Sequence, residues 1–186
     1  METPRIWQLG QVSQVGFVVA DVEKAAREWV RLTGAGPFFV GSFRMDDCFY
    51  RGRTVSMDIT TALAYLGDTQ IQLVQPNGDG PNIFSELLAQ TSNPGGVFHH
   101  IHLLTDDVAR EIARFRAQEV EMVSYSEVAG VLKVAIFDTI ATLGGLLQYY
   151  QFNPSSQRQF KIVHDIHLNW DGKDPIRRNL RETLGH

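Results

Sequence analysis

Four side chains able to hydrogen-bond fall at places where this sequence repeats itself: Gln14, Gln72, His100 and Gln148. Gln14-Val15-Gly16-Phe17-Val18-Val19-Ala20-Asp21 aligns with His100-Ile101-His102-Leu103-Leu104-Thr105-Asp106-Asp107, a polar residue opening an apolar run that leads to an Asp. Leu66-Gly67-Asp68-Thr69-Gln70-Ile71-Gln72-Leu73 aligns likewise with Thr142-Leu143-Gly144-Gly145-Leu146-Leu147-Gln148-Tyr149. The two-residue period of a strand groups His100 with His102, Gln70 with Gln72, and Gln148 with Tyr150. The opposite faces, with Ile71, Leu73, Ile101, Leu103, Leu147 and Tyr149, suit a covering of helices. A solvated sheet face would favour Lys and Glu. Amides, imidazoles and a phenol instead suit a concave wall that holds a small molecule through hydrogen bonds.

The elements that must position these groups read as two β-α-β-β-β units. In the first, residues 12–19 alternate as a strand, and Asp21 is placed to cap a helix. Val22, Ala25, Ala26, Trp29 and Val30 give that helix one apolar face, and Gly34 ends it. Residues 37–43, 59–66 and 69–75 supply three strands, with residues 44–57 read as a loop. A connector, residues 77–96, carries a short helix presenting Ile83, Phe84, Leu87 and Leu88. The second unit repeats the order: a strand over 100–105, a helix capped by Asp107 with Val108, Ile112 and Phe115 inward, then strands over 121–126, 131–138 and 145–152. The expected fold is α+β, two modules (7–76 and 97–153) forming a cupped eight-stranded sheet, with a C-terminal extension over 154–186. Two copies of one unit pack as related halves. The extension carries His164, His167 and Trp170 among apolar Ile162, Ile166 and Leu168. It is expected to dock across a partner subunit or over the cavity mouth.

Bulk properties narrow the function. The 186 residues carry a formal charge of −4, with 44% hydrophobic and 20% charged residues, as in an ordinary globular chain. No dense basic run exists to recruit nucleic acid. No stretch approaches the roughly 20 apolar residues of a membrane span, and no secretory pattern opens the chain. A single cysteine, Cys48, excludes an intrachain disulfide. A cytoplasmic protein with a small-molecule ligand is expected.

The paired units resemble the vicinal oxygen chelate superfamily, which includes glyoxalase I, methylmalonyl-CoA epimerase, bleomycin-resistance proteins and extradiol dioxygenases. The resemblance covers residues 12–152. Gly67-Asp68-Thr69-Gln70-Ile71-Gln72-Leu73-Val74-Gln75-Pro76 and Gly95-Gly96-Val97-Phe98-His99-His100-Ile101 are most similar to the epimerase branch. The resemblance implies a divalent metal (Zn, Mn, Co, Ni or Mg) held by Gln14, Gln72, His100 and Gln148, and no organic cofactor. It also implies a homodimer. The departure is Gln148, where the family has a Glu that ligates and, in glyoxalase I and the epimerase, serves as a base. Three Gln and one His bring no charge to a dication, and ligand charge is a main lever on affinity, so the ion is expected to be weakly held or absent. A neutral amide is no base near pH 7.

Three functions stand open. A lyase or isomerase acting on a carbonyl or thioester would use His100, His102, Tyr150 or Asp58 as acid and base. A metal-free protein would bind and sequester a small molecule. A relic would fill its cavity with its own side chains. His99, by alternation, belongs to the outer face as a structural residue, and Cys48 reads as a free thiol without a base. Gly78-Asp79-Gly80 is a turn rather than a phosphate loop. Arg177, Arg178, Arg181 and Glu182 read as a solvated helix face.

Overall fold

The structure is a computed structural model that describes residues 8–93, 95–128 and 132–178. The expected strand start at Val131, the module start at Trp7, and Arg181 and Glu182 lie outside the described residues. The elements are β1 (Val12–Val18), α1 (Val22–Thr33), β2 (Phe38–Tyr50), β3 (Arg53–Leu66), β4 (Thr69–Pro76), α2 (Ile83–Ala89) and β5 (Val97–Leu104). They continue with α3 (Val108–Ala117), β6 (Met122–Val128), β7 (Leu132–Phe137), α4 (Ile140–Leu143), β8 (Leu146–Phe152), α5 (Pro154–Leu168) and β9 (Ile176–Arg177). The β-α-β-β-β order occurs twice, the second time with the one-turn α4 inserted before β8. Each module helix starts at the expected cap: Asp21 accepts from the backbone of Glu23 and Lys24, and Asp107 from that of Arg110. Such a cap is worth about 1 kcal/mol. Gly34 ends α1 in the left-handed region, φ 74°, where a side chain would be strained.

The strands form one mixed sheet in the order β3-β4-β1-β5-β8-β7-β6-β2-β9, and β2 also pairs with β3, which closes the sheet on itself. Within each module the first and last strands are parallel neighbours. Gln14 pairs with Gln70 and Gly16 with Gln72, as His100 pairs with Leu146 and His102 with Gln148. The modules meet where β1 and β5 run antiparallel, Val15 opposite Ile101. A two-fold relation through that pair maps Gln14 onto His100, Gly16 onto His102 and Gln72 onto Gln148, the equivalences given by the sequence repeat.

The outer face carries α1 over Ile71, Leu73 and Ala64, and α3 over Tyr149, Phe137 and Ala135. The inner face is not left open. Ile83, Phe84 and Leu87 of α2 join Val18, Val74, Ile136 and Leu146 in a core inside the curve. Val163 of α5, with Phe160 and Ile166 beside it, packs on Phe39, Tyr65, Leu104 and Phe152 at the other end. The extension therefore docks on the inner face of its own chain. His164 Nε2 meets Asp68 Oδ1 at 2.9 Å, and the ring of His167 contacts the Gly36 carbonyl at 2.6 Å. Arg177 lies in β9, paired in parallel with β2, rather than on a helix.

Two further sequence expectations are corrected. Residues 44–57 are not a loop: β2 and β3 run on as a long hairpin that turns at Arg51-Gly52, with a register shift between Met45 and Cys48. That shift breaks the alternation, which hid the strand. His99 does not belong to the outer face. Gly16 pairs with His100 but Phe17 pairs with Phe98, so His99 is the extra residue of a β-bulge. It turns inward beside His100 and stacks on Phe84 of α2. A second bulge lies at Ser13, between the pairs Val12–Leu103 and Gln14–His102, at the equivalent position of the first copy.

Candidate functional site

Two adjacent rungs of the sheet carry the polar wall. One is Gln70-Gln14-His102-Gln148 across β4, β1, β5 and β8. The next is Gln72-Gly16-His100-Leu146. The bulges add Ser13 and His99 to the same face. Gln14, Gln70, Gln72, His99, His100, His102 and Gln148 are all buried. The four positions singled out in the sequence are thus brought to one inner surface, together with His102 and Tyr150.

Hydrogen bonds tie most of the wall together. Gln14 bridges Gln70, through a contact of 2.5 Å, and His100 Nε2, 3.1 Å from its Oε1. His100 Nδ1 lies 2.8 Å from His99 Nδ1, and His99 Nε2 lies 3.4 Å from the Ile83 carbonyl in α2. Ser13 Oγ sits 3.1 Å from His102 Nδ1. Two oxygens remain outside this web: Gln72 Oε1 and Gln148 Oε1 have no hydrogen-bond partner, although Gln72 is 9% exposed and Gln148 only 3%. They occupy equivalent positions in the two copies.

The wall is uncharged. Burial pushes His99 down to about 4 and His102 down to about 3, and burial together with the neighbouring imidazoles holds His100 well below the usual range. Tyr150, its ring centroid 4.2 Å from that of His102, is pushed up to about 12 by burial. At neutral pH the rings are neutral imidazoles and the tyrosine a phenol. Asp58 is not part of the wall. Its chain neighbours Met57 and Ile59 face the inner core, so its carboxylate lies on the outer side, accepting from Asn77 Nδ2 at 2.8 Å.

The donor chemistry does not fit a tightly held divalent ion. No carboxylate or thiolate joins the four family positions, and the facing atoms of Gln14 and His100 engage each other. Among the described residues no three His, Cys, Asp or Glu side chains group as a metal site. Around Gln72 the wall is covered: its β3 partner Leu63 is half-buried, and Phe39, beside Leu63 on β2, is fully buried. A groove of about 940 Å³ lies elsewhere, along the start of α1 with Lys24, Arg27 and Arg178, and touches none of the wall.

Sequence reasoning missed Ser13 and His99, which only the bulges turn inward, and Tyr65, whose place opposite Gln70 depends on the β3–β4 register. No signal in the sequence marks either bulge; plain alternation puts Ser13 and His99 on the opposite face.

The sequence model of the "Glyoxalase/Bleomycin resistance protein/Dioxygenase superfamily" matches residues 13–135. A search of curated proteins finds no match. Among solved structures, a Streptomyces coelicolor methylmalonyl-CoA epimerase in complex with 2-nitronate-propionyl-CoA is similar at 16% identity and TM-score 0.56, covering 77% of this chain and 97% of that one. A methylmalonyl-CoA epimerase from Mycobacterium tuberculosis is similar at 19% identity and TM-score 0.55, covering 81% and 91%. A hypothetical protein from Bacillus halodurans is similar at 15% identity and TM-score 0.53, covering 77% and 94%. At these identities the likeness is one of fold. The sequence match, the duplicated module and the closed sheet agree: the chain belongs to the glyoxalase/bleomycin resistance protein/dioxygenase superfamily.

Proposed function

We propose that this chain binds a small organic molecule bearing a carbonyl or thioester group on the inner wall, without a tightly held divalent ion. The observation that carries this reading is the buried, unpartnered oxygen of Gln72, since the Gln148 amide lies within reach of the Tyr150 phenol. Leaving a buried acceptor unsatisfied costs roughly 1–3 kcal/mol, and O–H or N–H groups of a ligand would remove that cost. Each amide also offers N–H to a ligand carbonyl, so one wall serves both ends of a polar group. An uncharged wall favours an uncharged ligand segment, because a buried charge would find no counter-charge there.

Lyase- or isomerase-type proton transfer is the second reading, favoured by the His102–Tyr150 ring pair and by the fold shared with epimerases. In it the neutral His102 imidazole would accept a proton from carbon and the Tyr150 phenol would donate one to oxygen. A general acid and base work best with pKa values near the operating pH. Values of about 3 and about 12 lie far from it, which puts binding ahead of catalysis.

Calorimetric titration with propionyl-CoA and with a glutathione hemithioacetal, each with and without EDTA, tests the proposal. Binding of either compound that is unchanged by EDTA is the expected result. Binding abolished by EDTA overturns metal independence, and no binding of either compound overturns the ligand class. Exchange of the ligand α-proton in heavy water would move the second reading ahead of the first.

A further inference from the structure

We infer that the family's ion position has been taken over by a neutral hydrogen-bond relay of fixed polarity, running Tyr65 → Gln70 → Gln14 → His100 → His99 → Ile83 carbonyl. The relay concerns the protein alone and does not depend on which ligand binds.

The polarity follows from counting donors and acceptors, beginning at the one end that cannot be reversed. The Ile83 carbonyl only accepts, so His99 must present N–H at Nε2. The ring is neutral and buried, which leaves Nδ1 as a lone pair. His100 Nδ1, 2.8 Å away, must then carry the proton. His100 Nε2 is in turn a lone pair and needs a donor from Gln14, its neighbour at 3.1 Å. The Gln14 amide therefore turns its nitrogen to His100 and its oxygen to Gln70, and Gln70 answers with its own nitrogen. Amide oxygen and nitrogen are assigned by such networks. One independent observation agrees with this assignment. With the opposite orientation Gln70 leaves its nitrogen buried without a partner, although its amide lies beside the Tyr65 phenol. Turned as the relay requires, Gln70 offers its oxygen to the Tyr65 O–H, and each of the five links has one donor and one acceptor.

The relay has a physical consequence for the ion. A metal at the family position would need the His100 Nε2 lone pair and the Gln14 oxygen, both of which the relay uses. Removing them would unpair Gln70 and break the tie to α2, and no carboxylate is present to offset that loss. Tyr65 has a single O–H, which the relay gives to Gln70 rather than to the Phe160 carbonyl of α5, 3.3 Å away. The other end of the relay is tied to α2 through the Ile83 carbonyl.

Nitrogen-15 NMR of the histidine rings in the intact protein tests this. The expected result is a protonated Nδ1 with a bare Nε2 in His100, and the reverse in His99. A protonated Nε2 in His100 overturns the polarity. Elemental analysis after dialysis against Zn²⁺, Mn²⁺, Co²⁺, Ni²⁺ and Mg²⁺ in turn should find well under one ion per chain. One ion per chain with shifted His100 ring signals overturns the displacement. Gln14→Met removes the middle link, and the ring signals of His99 should move with those of His100 although His99 does not touch residue 14. Movement of His100 alone overturns the relay as a coupled unit. If that variant does not fold, the wild-type ring signals still decide.

Discussion

Gly16 faces the imidazole of His100 across the β1–β5 junction, and Gly16→Ala is the sharpest perturbation the structure offers. A Cβ built there would lie 2.6 Å from His100 Nε2 and nearer still to Nδ1 and Cε1. The ring cannot yield cheaply, since it is fully buried and held by Gln14 on one side and His99 on the other. Overpacking of this kind costs about 1–3 kcal/mol. Displacing the ring would forfeit two hydrogen bonds at about 1 kcal/mol each, so the expected loss is roughly 3–5 kcal/mol. Against a typical stability of about 5–15 kcal/mol that is a large shift of the urea midpoint. The cause is isolated by repeating the change in a His100→Ala background. With the ring gone the methyl loses its three nearest clashes, and Ala is favoured over Gly in a strand by about 0.5–1 kcal/mol. Gly16→Ala should there be neutral or mildly stabilising, a coupling of several kcal/mol between the sites. Equal costs in both backgrounds, or a single variant within about 0.5 kcal/mol of wild type, would refute the steric account.

Further expectations concern the periphery and the pH response. Arg51 joins Glu86 of α2 with Glu121 and Asp138 of the second module, and is 30% exposed. Arg51→Ala should cost roughly 1–3 kcal/mol in urea unfolding after allowing for solvent screening, and a loss under about 0.5 kcal/mol would show that solvent replaces the network. The inner-wall histidines have native pKa values below the ordinary 6.5, about 4 for His99 and about 3 for His102. Below about pH 6.5 the unfolded chain binds protons that the native one does not. Stability should therefore fall on acidification by up to about 1.4 kcal/mol per pH unit for each imidazole, until the native values are reached. A urea midpoint flat between about pH 7 and about pH 5 would contradict the burial. Burial and the nearby Asp46 and Asp47 push the Cys48 thiol up, so iodoacetamide should label it at the rate of local opening, and rapid native labelling at neutral pH would place it at the surface.

The duplicated pattern made the fold legible. Gln14 and His100 share an offset with Val15 and Ile101, which marks two copies of one unit; which strands pair came from the structure alone. The polar face was legible for the same reason, since period two assigns Gln70, Gln72, His102 and Gln148 to one side. What failed was parity counting through irregular backbone. An extra residue at His99 reverses the alternation on one side of it, and nothing in the residue type marks a bulge. Asp58 was misplaced because residues 44–57 were read as a loop, where side-chain direction is undetermined; as β3, the same residues give Asp58 a definite outer side. The filling of the curve by α2 and α5 was also hidden. Amphipathic spacing shows that Ile83, Phe84 and Leu87 share a face but not which surface receives them.

The paired bulges change how much chemistry a strand can display. A regular strand shows one side chain in every two to a given surface, so four successive residues offer two groups. With its bulge, β5 shows His99, His100 and His102 inward within four residues, and β1 shows Ser13 and Gln14 in succession. Functional density on this wall is set by backbone irregularity rather than strand number. Moving either bulge by one residue would exchange polar groups for Val15 or Ile101 and rewrite the surface without changing a single amino acid.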